Sequence, residues 1–223
     1  KGWNTTFDII ECVGVLHHMD DPEKGFNELE KKLTSLEKRL IDCAESISKH
    51  RQRTALQLET IIKRNLSHLN MLETRFSIKL FSDPGNFQET GFDNCESFIS
   101  TNIGEELKPV AKVASGGEIS RIMLAIKMAL QSRDIVDTLI FDEIDAGISG
   151  LTAERVGKTI EKLGNSHQIL CITHLSQIAG KGSHHFRISK QVKNNRVITQ
   201  MDPLKHSERI SEIASLISGR TVT

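Results

Sequence analysis

The chain has 223 residues, enough for one large domain or for one domain with an appendage, and its 29 Lys+Arg balance its 29 Asp+Glu. Zero net charge names no partner, although a local basic surface is compatible with it. One Trp and no Tyr argue against a base-stacking platform, and no run approaches the roughly 20 apolar residues of a membrane span.

The opening Lys1-Gly-Trp-Asn-Thr-Thr6 has neither an initiator Met nor the apolar stretch of a signal peptide, which reads as a fragment of a longer protein. Cys12, Cys43, Cys95 and Cys171 are scattered without a CxxC pair. Reduced thiols in a cytosolic protein fit this spacing, with the four cysteines acting as small apolar residues; zinc has little support.

Residues 7–18, Phe-Asp-Ile-Ile-Glu-Cys-Val-Gly-Val-Leu-His-His, read as a buried strand and the loop after it. Asp20-Asp-Pro-Glu23 then marks a turn and a helix start, with Pro22 suited to a first helical turn. From Leu29 the period changes. Leu29, Leu33, Leu36, Leu40, Cys43, Ile47 and His50 keep a 4-3 spacing between charged flanks, as in a coiled coil. The seam loosens around Arg51–Thr54 and resumes at Leu58, Ile62, Leu66 and Leu69. One helix of some forty residues, about 60 Å long, is expected to form an arm.

Arg75-Phe-Ser-Ile-Lys-Leu-Phe81 alternates like a half-buried strand, Asp83-Pro-Gly85 turns it, and Cys95–Ser100 reads as its partner. The pattern then becomes α/β. Helices are expected over 118–132 and 151–163, strands over 137–142 and 168–173, and a short helix from Ser176. Strands near 184–190 and 195–201 flank the polar turn Lys193-Asn-Asn195, and a closing helix runs over 206–218. The apolar runs Leu139-Ile-Phe141 and Ile169-Leu-Cys-Ile172 indicate a buried parallel sheet.

Two phrases carry the chemistry. Val113-Ala-Ser-Gly-Gly-Glu-Ile-Ser-Arg121 is a small glycine turn opening an amphipathic helix, where free N–H groups and the helix dipole suit a phosphate. Thr138-Leu-Ile-Phe-Asp-Glu-Ile-Asp-Ala-Gly-Ile-Ser-Gly150 is an apolar strand ending in paired acids, which suits magnesium and a water to be activated. His174 follows a second apolar strand. Alone, each has a plain structural reading: a capping turn, a solvated strand end, a satisfied histidine. Together they sit at strand ends and helix starts, where an open α/β sheet places its ligands.

These phrases, with Ile172-Thr-His-Leu-Ser-Gln-Ile-Ala179, resemble the C-terminal lobe of ABC/SMC-type ATPase heads, and within them the RecN family of SMC-like bacterial proteins that repair DNA double-strand breaks. The likeness covers roughly Glu28 to Gly219. It implies an α/β fold with a P-loop NTPase-like parallel sheet, residues 28–72 as the coiled-coil arm and 73–223 as the C-lobe. It further implies that Ser115, Gly116, Gly117 and Glu118 contact the γ-phosphate of ATP held by an opposing head, and that Asp142 supports Mg2+, commonly through water. Glu143 would polarise the attacking water, Asp145, Ala146 and Gly147 would form a D-loop crossing the dimer interface, and His174 would face the γ-phosphate. The implied partners are ATP, Mg2+, DNA and a second copy joined through heads and arm, in a cytoplasmic, nucleoid-associated bacterial protein outside the membrane.

Two departures accompany this likeness. No Gly-x-x-x-x-Gly-Lys-Ser/Thr loop and no Q-loop occur in the sequence, so half of a head is expected, inactive alone. Residues 7–23 instead resemble the strand-four region of class I S-adenosylmethionine-dependent methyltransferases, which suggests a fused fragment over 1–27. A methyltransferase origin and a non-catalytic coiled-coil interaction module are therefore the competing functions.

Overall fold

The computed structural model describes residues 22–112, 116–131, 133–193 and 196–218. The segment 7–21, and with it nearly all of the methyltransferase-like stretch, lies outside them, as does Ser115. The described chain begins with α1 (Pro22–His68), a single helix of 47 residues, about 70 Å long at 1.5 Å per residue. It starts at the proline that sequence reading placed in the first turn, because proline's missing N–H costs nothing there. β1 (Arg75–Ser82), β2 (Asp93–Ser100) and the two-residue β3 (Lys108–Pro109) form one sheet in that order. β3 is a strand that periodicity could not reveal, being too short to alternate.

The chain divides into two compact units: Lys1–Thr54 with Leu80–Cys95, and Ala55–Lys79 with Glu96–Thr223. In the first, the buried carboxylate of Asp93 is the hub. It accepts hydrogen bonds from Ser48 Oγ at 3.0 Å, Ser82 Oγ at 2.7 Å and Arg51 Nη1 at 3.0 Å. Burial alone would push this acid up, but those three donors and the Arg51 charge hold it below the ordinary carboxylate value.

The second unit holds the α/β core. The helix α2 (Gly116–Leu130) leads into β4 (Thr138–Phe141), followed by α3 (Gly150–Leu163) and β5 (Gln168–Cys171). β4 and β5 pair in parallel with Phe141 opposite Cys171, so both strands end at the same edge. Ala153, Val156, Ile160 and Leu163 line one face of α3, the stripe expected of a helix packed on a sheet. Val156, Ile160 and Leu163 join Ile62, Leu66, Leu69, Phe76, Ile99, Ile122, Leu124, Leu139, Phe141, Ile144 and Ile178 in one apolar cluster. The short α4 (Ser176–Ala179) precedes an antiparallel hairpin, β6 (Phe186–Lys193) and β7 (Arg196–Pro203), and α5 (His206–Ser218) closes the described chain.

The apolar seam and the positions of α1 covered within the chain coincide only in part. Leu29, Leu33, Leu36 and Leu40 are exposed, and so are Cys43, Ile47 and His50, whereas Ala44 and Ser48 are buried. The covered line runs through Ala44, Ser48, Arg51, Ala55, Leu58, Ile62, Leu66 and Leu69, the spacing of one face of an α-helix. Where the sequence seam loosens, polar Ser48 is buried and Arg51 half-buried, and the Asp93 carboxylate satisfies both. Cys43 and Cys95 are exposed, and no disulfide joins the described cysteines.

Candidate functional site

Everything the sequence marked as chemical lies at the carboxyl ends of β4 and β5 or at the start of α2. Asp142 and Glu143 follow β4 directly, and both are exposed. Asp142 Oδ1 accepts the Glu143 N–H at 2.8 Å, while its own carbonyl accepts from Ser120 Oγ at 2.7 Å. The strand end is thereby stitched to the first turn of α2. Glu143 takes a left-handed backbone, φ 54°, a conformation that costs a residue with a Cβ of order 1–3 kcal/mol. This turn brings its carboxylate over Gly116, where any Cβ would collide with the carboxylate oxygen.

Gly117 is tighter still. A Cβ there would lie 2.8 Å from Ala146 Cβ and 3.0 Å from the Ala146 carbonyl oxygen. The two glycines of the turn are thus required by the loop after β4, in addition to any ligand they receive. Glu118, half-buried, lies near the Arg121 guanidinium and favours its charge.

Arg121 is the residue to which sequence reading gave no role. It stands at a core-facing position of α2, with Gly117 one turn before it and Ile122, Leu124 and Ala125 after it, and is only 7% exposed. Its Nη1 donates to the carbonyls of Ile144 at 3.2 Å and Ala146 at 2.9 Å. Burial pulls its pKa below the ordinary arginine value, yet an arginine stays charged in any folded protein. A buried cation satisfied by two carbonyls fixes the path of that loop. The sequence signal was a charged residue on the apolar face of a helix.

Asp145 is also buried, and its carboxylate points inward. Oδ2 accepts from Thr173 Oγ1 at 2.6 Å and from the His174 N–H at 2.8 Å, and lies 3.0 Å from His174 Nδ1. Burial pushes this acid up, but those two donors and the histidine prevail and hold it below its ordinary value. The side chain of His174 itself is 72% exposed. With Nδ1–H assigned to Asp145, Nε2 remains available to a ligand. Ala146 and Gly147 are exposed, the latter at φ 72°. The three residues expected to form a D-loop therefore divide: Asp145 holds the end of β5, and its two successors are exposed.

The acid pair fits magnesium in a limited way. Among the described residues no group of three or more His, Cys, Asp or Glu side chains converges on one point. Asp142, exposed and with one oxygen engaged, suits an ion that keeps most of its ligands as water and phosphate oxygens. Cys171, on β5, has its thiol pushed up to about 12 by burial and by the nearby Asp145 and Asp142, so it offers no thiolate at neutral pH.

No family model matches the chain. The DNA repair protein RecN of Vibrio cholerae is 40% identical over 205 residues, covering 92% of this chain and 37% of that protein. RecN of Bacillus subtilis is 36% identical over 237 aligned residues, covering 98% of this chain and 41% of that protein. The chain thus spans about two fifths of the length of these relatives. Among solved structures, the Smc head domain of Pyrococcus furiosus with an extended coiled coil, bound to the C-terminal domain of ScpA, covers 95% of this chain at a TM-score of 0.53 and 18% identity. The chain is RecN-like in sequence and SMC-head-like in fold. An alignment spanning 98% of it runs through most of residues 7–23, which leaves the methyltransferase reading without support.

Proposed function

We propose that the chain is the C-terminal part of a RecN-like ATPase that acts in recombinational repair of DNA double-strand breaks. One observation carries this reading: the parallel strands β4 and β5 deliver Asp142, Glu143 and His174 to one edge of the fold, beside the glycine start of α2. The RecN-named relatives and the SMC-head fold give that edge its chemistry.

In a complete head, this chain would contribute four elements. Asp142 would help to hold magnesium, which when bound would supply charge neutralisation at the phosphate. Glu143 orients a water and takes its proton. His174, held through Nδ1 by Asp145, presents Nε2 to the terminal phosphate. Ser115 through Glu118, with the N-terminal N–H groups of α2, receive the phosphate of a nucleotide held by the opposing head. Such a division suits phosphoryl transfer, which needs positioning and charge neutralisation more than covalent help. The phosphate loop with its lysine must come from another lobe. Two copies would join through heads and arm, and DNA would be the substrate on which the assembly works, in the bacterial cytoplasm at the nucleoid. No helix among the described residues is long and apolar enough to cross a membrane.

The reading is tested by ATP hydrolysis. This chain alone should turn over ATP negligibly. A complete head, with a phosphate-loop lobe added, should hydrolyse it, and Glu143→Gln should lower that rate by about 100-fold or more, the scale of a general base. Magnesium-dependent turnover by the chain alone, abolished by Glu143→Gln, would contradict it.

A further inference from the structure

We propose that the β6–β7 hairpin is a contact surface for the phosphate backbone of duplex DNA. The inference rests on the DNA-repair reading above and names the part of the chain that meets the nucleic acid. The first observation is charge. Over residues 181–206 stand Lys181, Arg187, Lys190, Lys193, Arg196 and Lys205, against Asp202 as the one acid. The whole chain is neutral, so this ribbon concentrates positive charge that the rest of the molecule balances elsewhere. Lys181 pairs with Glu161 at 3.2 Å and Arg187 with Glu212 at 3.8 Å. Lys190, Arg196 and Lys205 are exposed, and none of their side chains forms an ion pair among the described contacts, although the Lys205 backbone N–H donates to Glu208 Oε2 at 2.7 Å.

The second observation is register. Lys193 stands directly opposite Arg196 at the hairpin's end. On the same face, Ser189 opposes Gln200 and Gln191 opposes Ile198, so that three of these four side chains are neutral hydrogen-bonding groups. A two-stranded antiparallel ribbon is narrow enough for the major groove, about 12 Å wide. Phe186 is the ribbon's only aromatic residue, so base stacking is not its means of binding and a duplex is favoured over a single strand.

The test is fluorescence anisotropy of this chain with a labelled duplex across a salt series, comparing wild type with K190Q/K193Q/R196Q. We expect the triple variant to bind at least tenfold more weakly at low salt. Its plot of log affinity against log salt should be shallower by about 2 to 3, one step of roughly 0.9 per lost phosphate contact. A variant of equal charge change on α1, K31Q/K38Q/R39Q, should bind within twofold of wild type. Absence of duplex binding by the wild-type chain overturns the proposal. So does equal weakening by the two variants, which would mark net charge alone, or a preference for single-stranded DNA or RNA. If the lysines and arginine serve only to keep an exposed ribbon from pairing edge to edge, the triple variant will self-associate while keeping its DNA affinity, and the proposal also fails. ATP hydrolysis by a complete head carrying the same triple variant, measured without DNA, separates this inference from the reading beneath it. Unchanged turnover with unchanged DNA affinity removes the hairpin alone, whereas no turnover in the wild-type head removes the ATPase.

Discussion

Glu143 and its neighbours show how one turn serves two purposes. The glycines at the start of α2 leave N–H groups free for an anion, and they also admit the loop that β4 delivers. These requirements separate by mutation. Gly117→Ala places a methyl against the Ala146 side chain and backbone, neither of which can rotate aside. Gly116→Ala meets mainly the flexible end of Glu143. Thermal or denaturant unfolding should therefore show Gly117→Ala losing about 1–3 kcal/mol, the usual cost of overpacking, and Gly116→Ala clearly less. Equal losses would mean that the loop is not packed as described. Asp145 provides a second test, in pH. Its folded pKa is held below the ordinary value, so its contribution is full above the unfolded pKa near 3.9 and fades as pH falls through the folded one. Asp145→Asn should cost about 1–3 kcal/mol at pH 7, and the gap from wild type should narrow below about pH 4. A gap that widens in acid would refute the hydrogen-bond assignment. The sequence marked these residues as candidates for chemistry, because their order resembles a known pattern. It could not show that Asp145 turns inward or that Arg121 clamps the loop, since both facts depend on which carbonyls and hydroxyls arrive from strands elsewhere in the chain.

Among the elements, helices and strands were legible wherever the pattern repeated. α5 begins at His206 and ends at Ser218, where the sequence placed it, and Pro22 opens α1. β3 was not legible, because two residues carry no period. Along α1 the positions covered within the chain pass through Ala44 and Ser48, while Cys43, Ile47 and His50 of the apolar seam are exposed. A polar side chain can take a buried position when a buried acid satisfies it, and Ser48 and Arg51 meet Asp93. Substitutions along the helix should follow the observed line. Leu66→Ala removes a fully buried side chain and should cost about 2–5 kcal/mol in denaturant unfolding. Leu36→Ala, at a position 49% exposed, should stay within about 0.5 kcal/mol. A comparable loss at Leu36 would show that the N-terminal seam is covered within the same molecule.

At the scale of the whole molecule, the account makes the chain one contributor to a site that two heads share. The glycine turn of α2 and the acids after β4 are neighbours in one chain, yet they are assigned to different nucleotides. The measurement that bears on this most directly is sedimentation of complete heads with ATP. Heads carrying Glu143→Gln should bind ATP, fail to hydrolyse it and accumulate as dimers. Adding Ser115→Arg obstructs only the phosphate contact made across the interface, so those heads should still bind ATP but remain monomers. Ser115→Arg heads that dimerise with ATP as readily as their parent, or that hydrolyse it as monomers when Glu143 is restored, would contradict the account.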